Sequence, residues 1–256
     1  MSTGRPAAVA KTPGEIDAMA ASGVVLYACH ELLQAECAPG ITTAQLDEMA
    51  EQFIREHNGT PAFKGYQGYP ATITASVNEQ VVHGIPGDYE LKPGDIASLD
   101  CGVVLDGWVS DAARTHPVGE ISDEARRLLQ VTEAALAAGI GSFQIGGTIG
   151  DVGASIQNVV EAGGYAVVRS LVGHGVGRQM HEEPQVPNFG TPGTGPEIFE
   201  GMVIAIEPMV NVGAPDVVTG EDGWTVTSRD RSLSAHSEHT VAATTQGPRI
   251  LTGGTG

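Results

Sequence analysis

The sequence predicts an α/β fold built from two similar halves. Three observations carry that expectation: a strand-like run ending in a tight hairpin turn, a second run that copies it about a hundred residues later, and a helical pattern ahead of each. In the first half, Gly40-Ile41-Thr42 precedes Leu46, Met49, Ala50, Phe53 and Ile54 at helical spacing. The strand that follows runs through Ile96, Ala97, Leu99, Cys101, Val103, Val104 and Leu105; Asp106-Gly107 is a strong two-residue turn, and Trp108-Val109-Ser110-Asp111 returns. In the second half, Gly146-Gly147-Thr148 precedes a weaker helical pattern of Val152, Ile156, Val159 and Val160. Gly201-Met202-Val203-Ile204-Ala205-Ile206-Glu207 then lies over Gly94-Asp95-Ile96-Ala97-Ser98-Leu99-Asp100, each an apolar run after a glycine with an acid in the same place. The two registers differ by only one residue, which points to internal duplication and sets Asp100 and Glu207 at equivalent positions facing a shared centre. One domain is expected over residues 11–250, with flexible segments at 1–10 and 251–256. The glycine- and proline-rich stretches Pro187–Gly195 and Gly213–Gly223 read as loops near a cleft.

Composition narrows the function class. The 256 residues are 41% hydrophobic, enough to bury a sizeable core. No apolar stretch is expected to span a membrane, and residues 1–12 lack the contiguous apolar core of a signal peptide, so the expected location is the cytoplasm. Cys29, Cys37 and Cys101 are odd in number and without zinc spacing, which suits free buried thiols in a reducing compartment. A net charge of -18 repels phosphate and so argues against nucleic acid and anionic membrane as partners.

The hairpin can be counted outward from its turn, pairing Leu105 with Trp108, Val104 with Val109, Val103 with Ser110 and Gly102 with Asp111. Asp100 then lies diagonal to Asp111 on the same face, with Gly102 leaving the space between them open. Diagonal neighbours are roughly 7 to 8 Å apart, so two leaning carboxylates can share a pair of metal ions about 3.5 to 4 Å apart. Two acids on one strand face would ordinarily be a solvated edge; the matching strand with Glu207 argues against it. His30, His57 and His116 read as structural or surface residues, whereas His174 stands between glycines that permit close approach to a ligand. His181 is expected on a different element, as a hydrogen-bond donor to substrate. Glu182, Glu183 and Glu197 read as solvated or locally structural. In Ala235-His236-Ser237-Glu238-His239-Thr240-Val241, alternation puts Glu238 and Thr240 on one face, and His236 shares it as a substitute ligand. Four carboxylates with one imidazole form an oxygen-rich set suited to a bridged pair of Mn, Fe, Co or Zn ions, which would offset their mutual repulsion.

Taken in order, Ser76-Val77-Asn78-Glu79 with His83-Gly84-Ile85-Pro86, Asp100 with Asp111, Gly173-His174-Gly175-Val176-Gly177 with His181-Glu182-Glu183-Pro184, Ile206-Glu207-Pro208, and Ser234 to Thr240 resemble the type I methionine aminopeptidases, a branch of the pita-bread metallopeptidases. The resemblance runs from about Lys11 to Val241. It implies curved antiparallel sheets inside and helices outside, related by a pseudo-twofold axis. It implies two divalent ions held by Asp100, Asp111, His174, Glu207 and Glu238, with Asp111 and Glu238 bridging. A metal-activated water would be the nucleophile, Glu207 the general base, His83 a contact to the scissile nitrogen and His181 an oxyanion stabiliser. The implied pocket for methionine is lined by Tyr66, Tyr69, Met180 and Trp224, with Thr74 where many relatives carry cysteine. The backbone near Asn78 and Gln80, with Ser234, would hold a monovalent cation, Na or K. The implied substrates are N-terminal methionine peptides and nascent chains with a small second residue, processed by a monomer transiently near the ribosome. A proline-directed aminopeptidase or dipeptidase shares the five ligands, and a non-catalytic pita-bread binding module would have lost some of them; all five are present here.

Overall fold

The structure is a computed structural model that describes residues 8–254. The first half consists of α1 (Pro13–Glu36), α2 (Thr43–Glu56), β1 (Thr60–Pro61), β2 (Ile73–Val77), β3 (Gln80–Val82), β4 (Ile96–Leu105) and β5 (Trp108–Pro117). The second repeats the plan with α3 (Asp123–Ser142), α4 (Ile149–Ala162), β6 (Ala166–Val167), β7 (Gly173–Gly175), β8 (Glu182–Val186), β9 (Val203–Ile206) and β10 (Met209–Asn211). It ends with β11 (Val217–Thr219), β12 (Val226–Ser228), β13 (Ser234–His236), β14 (His239–Thr244) and β15 (Gly247–Ile250).

The repeat is visible in local chemistry. Thr42 and Thr148 both cap a helix, each in a reciprocal box with the residue three positions on, Gln45 and Asp151. Each cap also bridges to a matching acid, Thr42 to Glu90 and Thr148 to Glu197, so Glu197 is locally structural. Gly40 and Gly146 share a positive φ of 96° and 84°, as do Gly94 and Gly201 at 98° and 82°. A side chain would strain the backbone at these positions, so the duplicated glycines follow from geometry.

In the first half, β4 lies between β5 on one side and β1 and β2 on the other, all antiparallel. In the second, an antiparallel sheet runs β15-β14-β9-β7-β8. Leu26, Cys29 and Leu33 of α1 and Leu46, Ala50 and Ile54 of α2 pack against Ile73, Leu99 and Cys101. In the same way, Leu128 and Leu136 of α3 and Val152 and Ile156 of α4 cover Ile204 and Ile206. Where the sheets meet, Ala113 and Glu238 exchange backbone hydrogen bonds of 3.4 and 2.9 Å. Beside them the Asp111 amide donates to Thr240 Oγ1 at 3.0 Å, and that hydroxyl donates to the Asp111 carbonyl at 2.8 Å. These bonds join β5 to β14 and place Asp111 beside Glu238.

Three expectations change. α1 is 24 residues long with a mean hydropathy of 1.3 in its most apolar window, so by length and composition it meets the requirement for crossing a bilayer. In the fold it is a core helix, with Ser22 donating to the Val103 carbonyl at 3.0 Å and His30 Nε2 meeting the Ala112 carbonyl at 2.8 Å. The end of the packed domain moves from 250 to at least 252. Leu251 and Thr252 are 3% and 1% exposed, Leu251 donates to the Thr240 carbonyl, and Gly23 leaves room for the Leu251 backbone against α1. At the other end Ala8 packs on the second-half core and Lys11 is buried in an ion pair with Glu182, so Glu182 is structural. Of the segments expected to be flexible, residues 1–7 and 255–256 lie outside the described residues. Finally, Gly213–Gly223 contains the short strand β11, while Pro187–Gly195 is a loop packed against α4 that reaches the cleft, Asn188 Nδ2 donating to the Glu207 carbonyl at 3.0 Å.

Candidate metal centre

The β4–β5 hairpin pairs as counted, with Gly102 opposite Asp111 and Leu105 opposite Trp108 across Asp106 and Gly107, both at positive φ. Asp100 and Asp111 therefore face the same side. Gly102 does not leave open space between them: a Cβ there would come within 2.8 to 2.9 Å of Phe63, Ala62 and Met180. The glycine instead lets the pocket wall pack directly on the strand. Glu207 follows β9, and Glu238 sits in the turn between β13 and β14.

His174, in the middle of β7, has its Nδ1 2.9 Å from the Gly175 carbonyl, which makes that nitrogen the protonated one. Its Nε2 is 3.7 Å from Asp111 and 3.6 Å from Glu207. One ligand atom each from Asp111, His174 and Glu238 lies within 4.8 Å of the others, a spacing at which a metal ion could join them. His236 also reaches the site, 3.8 Å from Glu207 and 3.9 Å from Glu238.

Burial and mutual repulsion make these acids expensive to ionise. Desolvation, with the neighbouring charges, holds the carboxyls of Asp100, Glu207 and Glu238 well above the usual range, and burial pushes Asp111 up to about 7. Burial likewise keeps His174 neutral, with a pKa lowered to about 3. Asp100 Oδ1, Asp111 Oδ1 and Glu238 Oε1 are buried without a hydrogen-bond partner. Among the described residues, no lysine or arginine lines the cavity. Orphaned carboxylate oxygens converging on a neutral imidazole fit divalent cations, which would reverse the pKa logic of the whole group.

These residues open into a cavity of about 320 Å³. Residues 17–245 match the metallopeptidase family M24. The chain belongs to that family. A methionine aminopeptidase of Clostridium perfringens is 53% identical over 95% of this chain and 98% of its own length. The crystal structure of methionine aminopeptidase from Rickettsia prowazekii superposes with a TM-score of 0.94 at 41% identity, covering 96% of this chain and 99% of that one. Xaa-Pro dipeptidase from Bacillus anthracis shares the fold at a TM-score of 0.76 and 21% identity, with this chain spanning 62% of its length. The α/β pita-bread fold expected from the sequence is therefore the fold observed.

The M24 cavity gathers all seven of the expected substrate residues. Tyr66, Tyr69, Thr74, His83, Met180, His181 and Trp224 all line it, together with the four carboxylates and the His174 imidazole. Tyr69 and Trp224 meet edge to face at 5.1 Å, and two amides donating to Asp222, from Trp224 and Thr225, fix that turn. The Tyr69 hydroxyl donates to the carbonyls of Ile73 and Gly84. Tyr66 bonds His181 Nδ1 at 2.8 Å, leaving Nε2 for the cavity, and the His181 ring lies 4.2 Å from that of His174. His83 sits at a φ of 61°, a conformation uncommon for a non-glycine residue, held by Gly84 bonding to Ala75 and Ser76. Asn78 and Ser234 also come together, the Ser234 amide donating to the Asn78 carbonyl at 2.9 Å; the Gln80 side chain instead accepts from the Val77 amide.

Phe63, Leu171 and Met209 line the cavity without having been expected there. Phe63 and Leu171 lie in irregular backbone, where no period marks which side chain faces inward. Met209 is two residues beyond Glu207, and strand alternation was the available signal.

Proposed function

We propose that the protein removes N-terminal methionine from peptides and nascent chains, preferring a small second residue. The observation that carries this reading is a single cavity in which buried, unneutralised carboxylates adjoin a wall of Tyr69, Trp224, Phe63 and Met180. Aromatic rings and a thioether suit a flexible, polarizable side chain. Relatives named methionine aminopeptidases, matched over nearly their whole length, support the same substrate.

Asp100, Asp111, His174, Glu207 and Glu238 would hold two divalent ions, Co, Mn, Fe or Zn. Bound there, the ions supply a nucleophile at neutral pH by lowering the pKa of water. Glu207 accepts the proton and later returns it to the leaving amine; its place in the cavity wall beside His174 suits it to both steps. His83 contacts the scissile nitrogen. His181, oriented by Tyr66, presents Nε2 to charge building on the carbonyl oxygen. A monovalent ion, Na or K, near Asn78, Gln80 and Ser234 would brace the loop that carries His83. The enzyme works as a cytoplasmic monomer on chains emerging from the ribosome.

The test is release of free methionine from Met-Ala-Ser by chelator-treated protein with Mn or Co added back. Ala-Pro peptides are the control, and Met-Leu-Ser reports on the second residue. Metal-dependent release from Met-Ala-Ser alone is expected. Cleavage of only the proline peptide would reassign the substrate, and no cleavage with metal bound would reject hydrolysis.

A further inference from the structure

His236 is a buried imidazole for which the reaction above has no use. It is 1% exposed, and its Nε2 has no hydrogen-bond partner. Its position is over-determined by backbone: β13 pairs His236 with Met209, two residues past Glu207. Thr115 clamps it from β5, accepting from the His236 amide at 3.0 Å and donating to its carbonyl at 2.7 Å. The ring therefore has little freedom to find a partner elsewhere.

Its Nε2 points between two acids, 3.8 Å from Glu207 Oε2 and 3.9 Å from Glu238 Oε2. Glu207 thus divides its oxygens, Oε1 lying 3.6 Å from His174 and Oε2 facing His236. The trio with metal-binding spacing is Asp111, His174 and Glu238, and Asp100 and Glu207 line the same cavity; His236 belongs to neither group. Both distances exceed a hydrogen bond, and a contraction of about 1 Å would make either one. Unpartnered buried N–H groups are costly, so that contraction is favoured once the carboxylates are fixed as anions.

We propose that His236 is a positioning residue: it shares its single Nε2–H between the Glu207 and Glu238 carboxylates and orients them toward the ions, without ligating metal itself. This rests on the metal-holding part of the functional reading and not on methionine as substrate. Partners behind ligating carboxylates set ligand orientation and commonly change metal affinity by about 10- to 100-fold.

Calorimetric titration of metal-free protein with Mn, together with the absorption spectrum of the Co-loaded form, tests it. His236→Leu should bind Mn about 10- to 100-fold more weakly, while His236→Gln, which keeps an N–H donor, should recover most of the loss. The Co spectrum of His236→Gln should keep the bands of the unsubstituted protein. Equal Mn affinity in all three proteins would overturn the proposal, as would a Co spectrum in His236→Gln showing loss of an imidazole ligand. Should His236→Leu fail to fold, the affinity and spectrum of His236→Gln decide alone, near-unchanged values for both being required. Unsubstituted protein that binds no Mn would sink the metal reading itself. Mn binding with the expected variant pattern but no methionine release would sink only the substrate.

Discussion

His30 and His174 are both buried, neutral imidazoles with pKa values lowered to about 3, yet they sit in opposite kinds of surroundings. His30 faces a strand carbonyl from α1, in a corner of packed Leu, Cys and Ala side chains. His174 faces the carboxylates of Asp111 and Glu207, and Asp111 Oδ1 has no partner. Depressed titration therefore does not separate a structural histidine from a functional one. What separates them is the kind of unsatisfied atom: in the His30 corner it is the ring's own Nδ1, whereas the His174 site gathers orphaned carboxylate oxygens of Asp100, Asp111 and Glu238, the atoms that bind cations.

The largest test of that contrast is Glu207→Gln. Methionine release should fall by at least about 100-fold, because the proton acceptor is gone, while the unfolding midpoint of the metal-free protein stays level or rises as one crowded acid is neutralised. Near-normal turnover would remove Glu207 from its role. His181→Ala should lower kcat by about 100-fold, from loss of one oxyanion donor, with Mn affinity measured by calorimetry little changed.

Stability against pH should divide the two regions. His30 titrates at about 3 in the fold against 6.5 when free, so between those values only the unfolded chain takes up the proton. Its contribution to stability is lost as pH falls from about 6.5 toward 3. Asp111 is raised from 3.8 to about 7, so the metal-free fold keeps a proton that the unfolded chain releases, and stability is lost as pH rises from about 4 to 7. Denaturant unfolding of metal-free protein should show His30→Gln flattening the acid-side loss and Asp111→Asn flattening the loss on the alkaline side. Each change in slope should be at most about 1.4 kcal/mol per pH unit. Saturating Mn at about 100 times its Kd should add about 2.7 kcal/mol near neutral pH and abolish the alkaline-side loss. Identical slopes in both variants would erase the distinction.

The smallest effect is expected at Thr74, which pairs with Asp100 across β2 and β4 and lines the cavity. Thr74→Cys should keep kcat/KM within about threefold while making turnover sensitive to a thiol reagent. Inactivation of the unsubstituted enzyme by the same reagent through this region would show that Thr74 does not set the pocket's thiol response.

Much of this was legible in the chain. Asp106-Gly107 fixed the β4–β5 register because a two-residue turn allows one pairing. The paired glycines and capping threonines exposed the duplication because positive φ and helix starts each demand particular residue types. Those are local rules, acting within a few residues. Other features depend on contacts distant in sequence. Gly102 is glycine because Phe63 and Met180 pack on it, Leu251 and Thr252 are ordered because α1 and β14 receive them, and α1 is a core helix because two strands offer partners for Ser22 and His30. The sequence alone determined that Asp100 and Asp111 share one face of the β4–β5 hairpin, whereas the alternating strand it suggested through Glu238 is broken there, because β13 and β14 pair in different sheets. Only the tertiary structure decided which of the acids' oxygens are left without partners and that His236 Nε2 lies between Glu207 and Glu238, because burial and hydrogen-bond satisfaction are properties of the assembled sheets.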